Sequence, residues 1–177
     1  MAIPLLEAKI RRPTLPRLVA RPRIRHQLQT ATDRSRLIVV WAGPGYGKTT
    51  AVLDFLQAQG KPNIWYQLGP EDADVMLFLA HLVAALNSGA VDQPLAIQEL
   101  IGLRDPLSAV RFLCARLPTI SPERLFLVLD DLHTVQSPAL MTVLEHLIRL
   151  LPDQVRLFLL SRERPSLPLE GLLLSGE

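Results

Sequence analysis

Cysteine is almost missing from this chain. Cys114 stands alone in 177 residues, so no internal disulfide can form and no cysteine-based metal cluster is available. Long apolar runs are missing too. The stretch LFLAHLVAAL already contains His81 and reaches only about half the length a spanning helix needs. The amino terminus, MAIPLLEAKIRR, puts its apolar residues before its charges, the reverse of a secretory signal. Four histidines, His26, His81, His133 and His146, show no metal-ligand spacing, and a structural role is expected for each. His133 stands apart because it trails a pair of aspartates. Internal repeats and low-complexity tracts are absent. These absences leave the expectation of a soluble, cytoplasmic protein with no membrane partner.

What is there fits one globular domain. Apolar residues make up 49% of the chain and charged ones 20%, enough to bury a core and too little charge for disorder. The net charge of +2 hides an asymmetry. Residues 1–36 hold Lys9, Arg11, Arg12, Arg17, Arg21, Arg23, Arg25, Arg34 and Arg36 against only Glu7 and Asp33, nine of the nineteen basic residues. Such an arm suits anionic partners, nucleotide phosphates or nucleic acid. It equally suits a solvated, proline-punctuated leader wrapped on the surface, because few aromatics interleave it.

Pro4, Pro13, Pro16 and Pro22 argue against a long helix before Arg23, while RIRHQLQTA permits a short one. RLIVVWA reads as a buried strand. A helix starts inside GKTTAVLDFLQAQG, with Val52, Phe55 and Leu56 on one face and Gly60 as its end. NIWYQL is a second strand, and EDADVMLFLAHLVAALNSG an amphipathic helix. DQPLAIQELIGL and DPLSAVRFLCARL read as two more helices, the latter capped by Asp105. RLFLVLDD is a third strand, SPALMTVLEHLIRLL a helix and QVRLFLLSR a fourth strand. Strands apolar on both faces that alternate with helices predict an α/β fold with a parallel sheet covered on both sides. In such sheets ligands sit beyond the carboxyl ends of the strands.

The unusual residues fall there. WAGPGYGKTT packs three glycines and a proline into five residues, which weakens helix and strand alike. Between a strand and a helix, that composition is a phosphate-binding loop. Gly43, Pro44, Gly45, Tyr46 and Gly47 let successive amides cup a phosphate, and the next helix aims its free N–H groups at the same spot. Lys48 reaches the terminal phosphates, Thr49 offers a hydroxyl to Mg²⁺, and Thr50 completes the first turn. The match to the phosphate-loop pattern departs at its first position, where Ala42 replaces glycine. Asp130, ending the third strand, is the carboxylate expected at the metal, through water. Asp131 follows it, suited to orient or deprotonate an attacking water. Arg162 ends the fourth strand. It faces the terminal phosphate if that strand lies between those of the loop and of the aspartate pair.

With these residues in hand, the chain resembles the STAND nucleotide-binding regulators, signal-transduction ATPases with numerous domains. The likeness is to the MalT-like branch of LuxR-type bacterial transcription regulators. The leader KIRRPTLPRLVARPRIRHQL, the loop AGPGYGKTT, the segment IWYQLGPEDADVMLFLAHLVAAL, LVLDDLHTV and LLSRERPSLPL each resemble the corresponding family segments. The resemblance implies a three-layer P-loop NTPase fold of the ASCE type. Its sheet is mostly parallel and five-stranded, with the strand before Arg162 beside the loop strand. It implies ATP and ADP as ligands with Mg²⁺, slow hydrolysis, and a switch between an ADP-held resting form and an ATP-bound oligomerising form. By position, Gly43 to Thr50 would hold the phosphates, Thr49 and Asp130 the metal, Asp131 the water and Arg162 the γ-phosphate. Lys48 would assist that chemistry. Val19 and Arg21 would approach the adenine side.

On this reading residues 1–35 are a leader packed on a nucleotide-binding domain of residues 36–177. The fifth strand is truncated, and the winged-helix, sensor and DNA-binding domains are absent. Inducer and DNA would then be met elsewhere, and an open sheet edge would favour self-association. Two other functions compete. A small-molecule kinase needs a lid with several arginines, and LNSGAVDQPLAIQELIGLRDP supplies only Arg104. A nucleic-acid module would use the basic leader, with a steep salt dependence. No guanine signature of the N-K-x-D type is present, which favours adenine.

Overall fold

The computed structural model describes residues 7–14, 20–89, 94–103 and 105–167. Four strands form one sheet: β1 Leu37–Trp41, β2 Asn63–Gln67, β3 Leu125–Asp130 and β4 Val155–Ser161. Their order is β1-β4-β3-β2, and every pairing is parallel. β4 therefore lies between β1 and β3, the condition set above for Arg162. The helices are α1 Pro22–Arg34, α2 Lys48–Gln59, α3 Val75–Ser88, α4 Ile97–Gly102, α5 Pro106–Ile120 and α6 Pro138–Leu150. No helix among the described residues is long and apolar enough to cross a membrane.

The sequence explains the layers. All six residues of β3 are buried, as a central parallel strand apolar on both faces requires. Alternation sends Phe126 and Val128 to one face, together with Phe158 and Leu160 of β4 and the apolar side of α2. Phe55, Phe126 and Phe158 meet there with ring centroids 5.6 to 6.1 Å apart. Leu125, Leu127, Leu129, Leu157 and Leu159 face the other way, against α3, α5 and α6. The result is three layers, helix, sheet and helix.

Helix ends follow the capping rules. Asp74 accepts from the amides of Met76 and Leu77, and Asp105 from those of Leu107 and Ser108. Gly60 ends α2 in the left-handed conformation at φ 59°. α1 is longer than its predicted core because Pro22 occupies its first turn, where a missing N–H costs nothing. α5 runs past Pro118 to Ile120. Described residues of the leader pack on the rest of the chain. A 3-10 turn, Glu7–Ile10, meets β2 and α3, and α1 lies on α2. Val19, Arg104 and the tail from 168 onward lie outside the described residues.

Candidate functional site

The carboxyl ends of β1, β3 and β4 bring the predicted residues together. The amide of Ala42 donates to the carbonyl of Ser161 at 3.3 Å, so the loop leaves β1 beside the end of β4 and one residue from Arg162. Gly45 and Gly47 have φ of 78° and 75°, a region side chains adopt poorly. Pro44, Gly45 and Tyr46 form an exposed crown. Lys48 opens α2 and folds back, its ammonium donating to the carbonyls of Ala42 at 2.7 Å and Gly43 at 3.1 Å. These are neutral acceptors, and an anionic phosphate is a stronger partner for an ammonium. Thr50 follows in the first turn of α2.

At the second position of α2, the hydroxyl of Thr49 donates to Asp130 Oδ2 at 3.0 Å. A hydroxyl and a carboxylate from distant parts of the chain thus converge beneath the loop, a hard oxygen donor set suited to Mg²⁺. Asp130 is 4% exposed. Burial pushes its carboxyl above the usual range, and the neighbouring charge of Asp131 adds to the effect. A divalent cation would relieve both, so the site fits the ion.

Asp131 is the one non-glycine residue with positive φ among the described residues, at 58°. Aspartate tolerates that conformation better than most. Its backbone carbonyl is held by the amide and hydroxyl of Thr134 at 2.9 and 2.8 Å. Its side-chain Oδ2 accepts from Gln67 Nε2 at 2.9 Å, and His133 Nδ1 stands 3.9 Å from Oδ1. The His133 ring is held below the ordinary histidine pKa, first by burial and further by the charges of Arg162 and Lys48. Both cations therefore act on the same ring beside Asp131.

Arg21 lies against the phosphate loop. Its Nη1 donates to the carbonyl of Tyr46 at 3.2 Å, and a Cβ on Gly47 would stand 2.8 Å from its Nη2. The guanidinium therefore lies against the loop at Gly47, where the φ of 75° itself disfavours a side chain. Its backbone amide donates to Asp54 Oδ2 on α2.

Sequence reading passed over three groups. Gln67 ends β2 in register with Asp130; a polar residue closing an apolar strand was its only signal. Asp54, mid-helix and nearly buried, pairs with Arg25 at 2.6 Å. Asp72 is fully buried and accepts from the Gly69 amide, the Tyr66 hydroxyl and the Lys9 ammonium, with His81 Nδ1 3.3 Å away. That cluster ties the amino-terminal segment to the loop after β2.

Against this geometry the likenesses to known proteins are coherent. The sequence profile described as an AAA domain matches residues 31–163. The HTH-type transcriptional regulator MalT of Cronobacter sakazakii (strain ATCC BAA-894) is 31% identical over 173 residues. That alignment takes in 95% of this chain and 19% of the relative, so the chain spans about a fifth of that protein's length. Among solved structures, the crystal structure of Cdc6p from Pyrobaculum aerophilum superposes with a TM-score of 0.59 at 16% identity. It covers 92% of this chain and 45% of the other, a likeness of fold. With a phosphate loop between β1 and α2 and a buried aspartate ending β3, the chain belongs to the AAA domain family of P-loop NTPases, in a form similar to the corresponding part of MalT.

Proposed function

We propose that this domain binds Mg-ATP in the loop Gly43–Thr50, hydrolyses it slowly, and acts as the ATP/ADP switch of a cytoplasmic, signal-responsive transcription regulator of the STAND, LuxR-related kind. The observation that carries the reading is the 3.0 Å hydrogen bond between Thr49 and Asp130, because it joins the metal-directed hydroxyl and carboxylate at the foot of a phosphate loop. The regulator role leans on the name of the MalT relative. Inducer and DNA would meet parts of such a protein outside the present sequence.

In this reading Thr49 and Asp130 hold Mg²⁺, which supplies charge neutralisation at the phosphates. Gly43, Pro44, Gly45, Tyr46 and Gly47 shape the phosphate cradle. Arg21 braces it from outside, so that leader residues 1–35 serve as a clasp on domain 36–177. Asp131 orients a water. The water oxygen attacks the γ-phosphorus, the bond from that phosphorus to the bridging oxygen breaks, and ADP leaves with the electron pair. The water's proton passes to the Asp131 carboxylate. Lys48 and Arg162 offset the charge on the transferring phosphoryl group. Gln67 holds Asp131 in the nucleotide-free chain, which suits slow turnover.

Lys48→Ala tests the reading. Wild-type protein should gain about 2–3 kcal/mol of stability at roughly 100 times the dissociation constant of Mg-ATP. The variant should show little shift in the same thermal melts. Equal shifts would remove Lys48 from the site. Calorimetry that detects no heat with either ATP or ADP would overturn the function itself.

A further inference from the structure

Asp131 stands between two polar side chains and is bonded to only one. Gln67 Nε2 holds Oδ2 at 2.9 Å. At the other carboxylate oxygen, His133 Nδ1 is 3.9 Å from Oδ1, beyond hydrogen-bond range. That ring nitrogen is sealed from solvent and has no hydrogen-bond partner. Folded proteins leave few buried polar atoms in this condition, and such an atom calls for an explanation.

Local geometry says which part can move. The Asp131 main chain is pinned, because its carbonyl accepts from both the amide and the hydroxyl of Thr134. The side chains are freer. His133 lies in the short 3-10 turn Leu132–Thr134. It borders a cavity of about 580 Å³ that is also lined by Gln136, Ser137, Met141, Ser161 and Glu163. A ring beside open volume can shift about 1 Å without compressing packed neighbours. Burial lowers its pKa and so favours the neutral ring, and a neutral imidazole carries one N–H, which can sit on Nδ1.

We propose that His133 is a positioning residue for Asp131. Its Nδ1–H donates to Oδ1 when nucleotide and water draw the carboxylate away from Gln67. It thereby fixes the orientation in which Asp131 accepts the water's proton. Gln67 and His133 are then two seats for one carboxylate, a resting seat and a working seat. This rests on the ATPase reading above, and the experiment separates the two.

Three substitutions decide the matter, because the amide nitrogen of asparagine falls near the place of Nδ1 and that of glutamine near Nε2. In single-turnover assays with Mg-ATP, His133→Ala should slow hydrolysis about 10-fold or more, the scale on which losing an orienting partner acts, with nucleotide affinity unchanged. His133→Asn should restore most of the rate, and His133→Gln should not. Wild-type turnover in the alanine variant, or equal rescue by both amides, overturns the proposal. A second readout needs no turnover. The ¹⁵N signal of His133 Nδ1 should move when a non-hydrolysable ATP analogue and Mg²⁺ are added to the wild-type chain, and should stay still in Asp131→Asn. Binding of the analogue with an unmoved signal sinks the role of His133 and leaves nucleotide binding intact. An analogue that does not bind at all sinks both.

Discussion

Asp130 is 4% exposed and lies beside a second carboxylate. Its folded pKa is raised above the unfolded value by burial first and by Asp131 second. The sign follows directly. When ionised, the group destabilises the folded chain, and the penalty fades as pH falls through the folded value. Asp130→Asn should therefore stabilise the nucleotide-free chain at pH 8, by about 0.5–2 kcal/mol, as other relieved functional sites do. The gain should shrink on acidification. The same variant should lose the Mg-dependent part of the ATP-induced stabilisation. Melts followed by circular dichroism across pH, with and without Mg-ATP, measure both. A variant less stable than wild type at pH 8 would mean that the hydrogen bonds from Thr49 and the Asp131 amide outweigh the burial cost. Asp130 and the loop glycines were legible in the sequence because each breaks a local rule, a charge ending an apolar strand or glycines crowded before a helix. Asp72 breaks none, and Gln67 shows only an uncharged polar residue closing an apolar strand. Their roles appear only when strand register sets Gln67 beside Asp130 and when folding brings Lys9 onto the loop after β2.

At the scale of elements, one carboxylate carries the ion pair between α1 and α2. Asp54 accepts from Arg25 Nη2 and Nε at 2.6 and 3.2 Å, and from the Arg21 amide at 3.3 Å. The Arg25 hydrogen bond, more than any other cause, holds Asp54 below its ordinary value of 3.8. A depressed folded pKa contributes stability that is present above the unfolded value and lost as pH falls through the folded one. Wild type should accordingly outlast Asp54→Asn in melts at neutral pH, and the difference should close below about pH 4. Amide exchange in α1 should rise first, since Leu28 and Thr32 are its only residues buried to core level. A difference that persists unchanged to pH 2 would refute the charge argument. Elements themselves were largely readable. The four strands and the helices α2, α3, α5 and α6 carry strong periodicity or caps, and each lies within a few residues of its expected span. α1 was under-read because few of its residues are buried to core level and part of its hold on the fold is ionic. The sheet order was not in the pattern at all; it entered through family resemblance, and the pairing of β4 with both β1 and β3 bears it out.

For the whole molecule, the open question is the outer edge of β1. Ala42 N donates to Ser161 and Leu157 N donates to Arg36, so the even-numbered residues of this parallel strand bond to β4. The amides and carbonyls of Leu37, Val39 and Trp41 therefore face away from it, and no described strand receives them. Trp41, at the end of that edge, is 50% exposed. The Leu37 carbonyl takes the Ser35 hydroxyl at 3.0 Å; the rest of the row, unpaired among the described strands and beside a large apolar side chain, is a template for a second chain. The chain should accordingly self-associate as its concentration rises, through β1 of two copies. Sedimentation equilibrium would show a concentration-dependent mass, and Trp41 fluorescence would shift to the blue as the ring is covered. Trp41→Lys places a charge on the edge without touching the core, so it should hold the protein monomeric while its circular dichroism stays that of wild type. A wild-type chain that remains a monodisperse monomer at high concentration would show that this edge is already protected. Association that survives Trp41→Lys would place the contact on another surface.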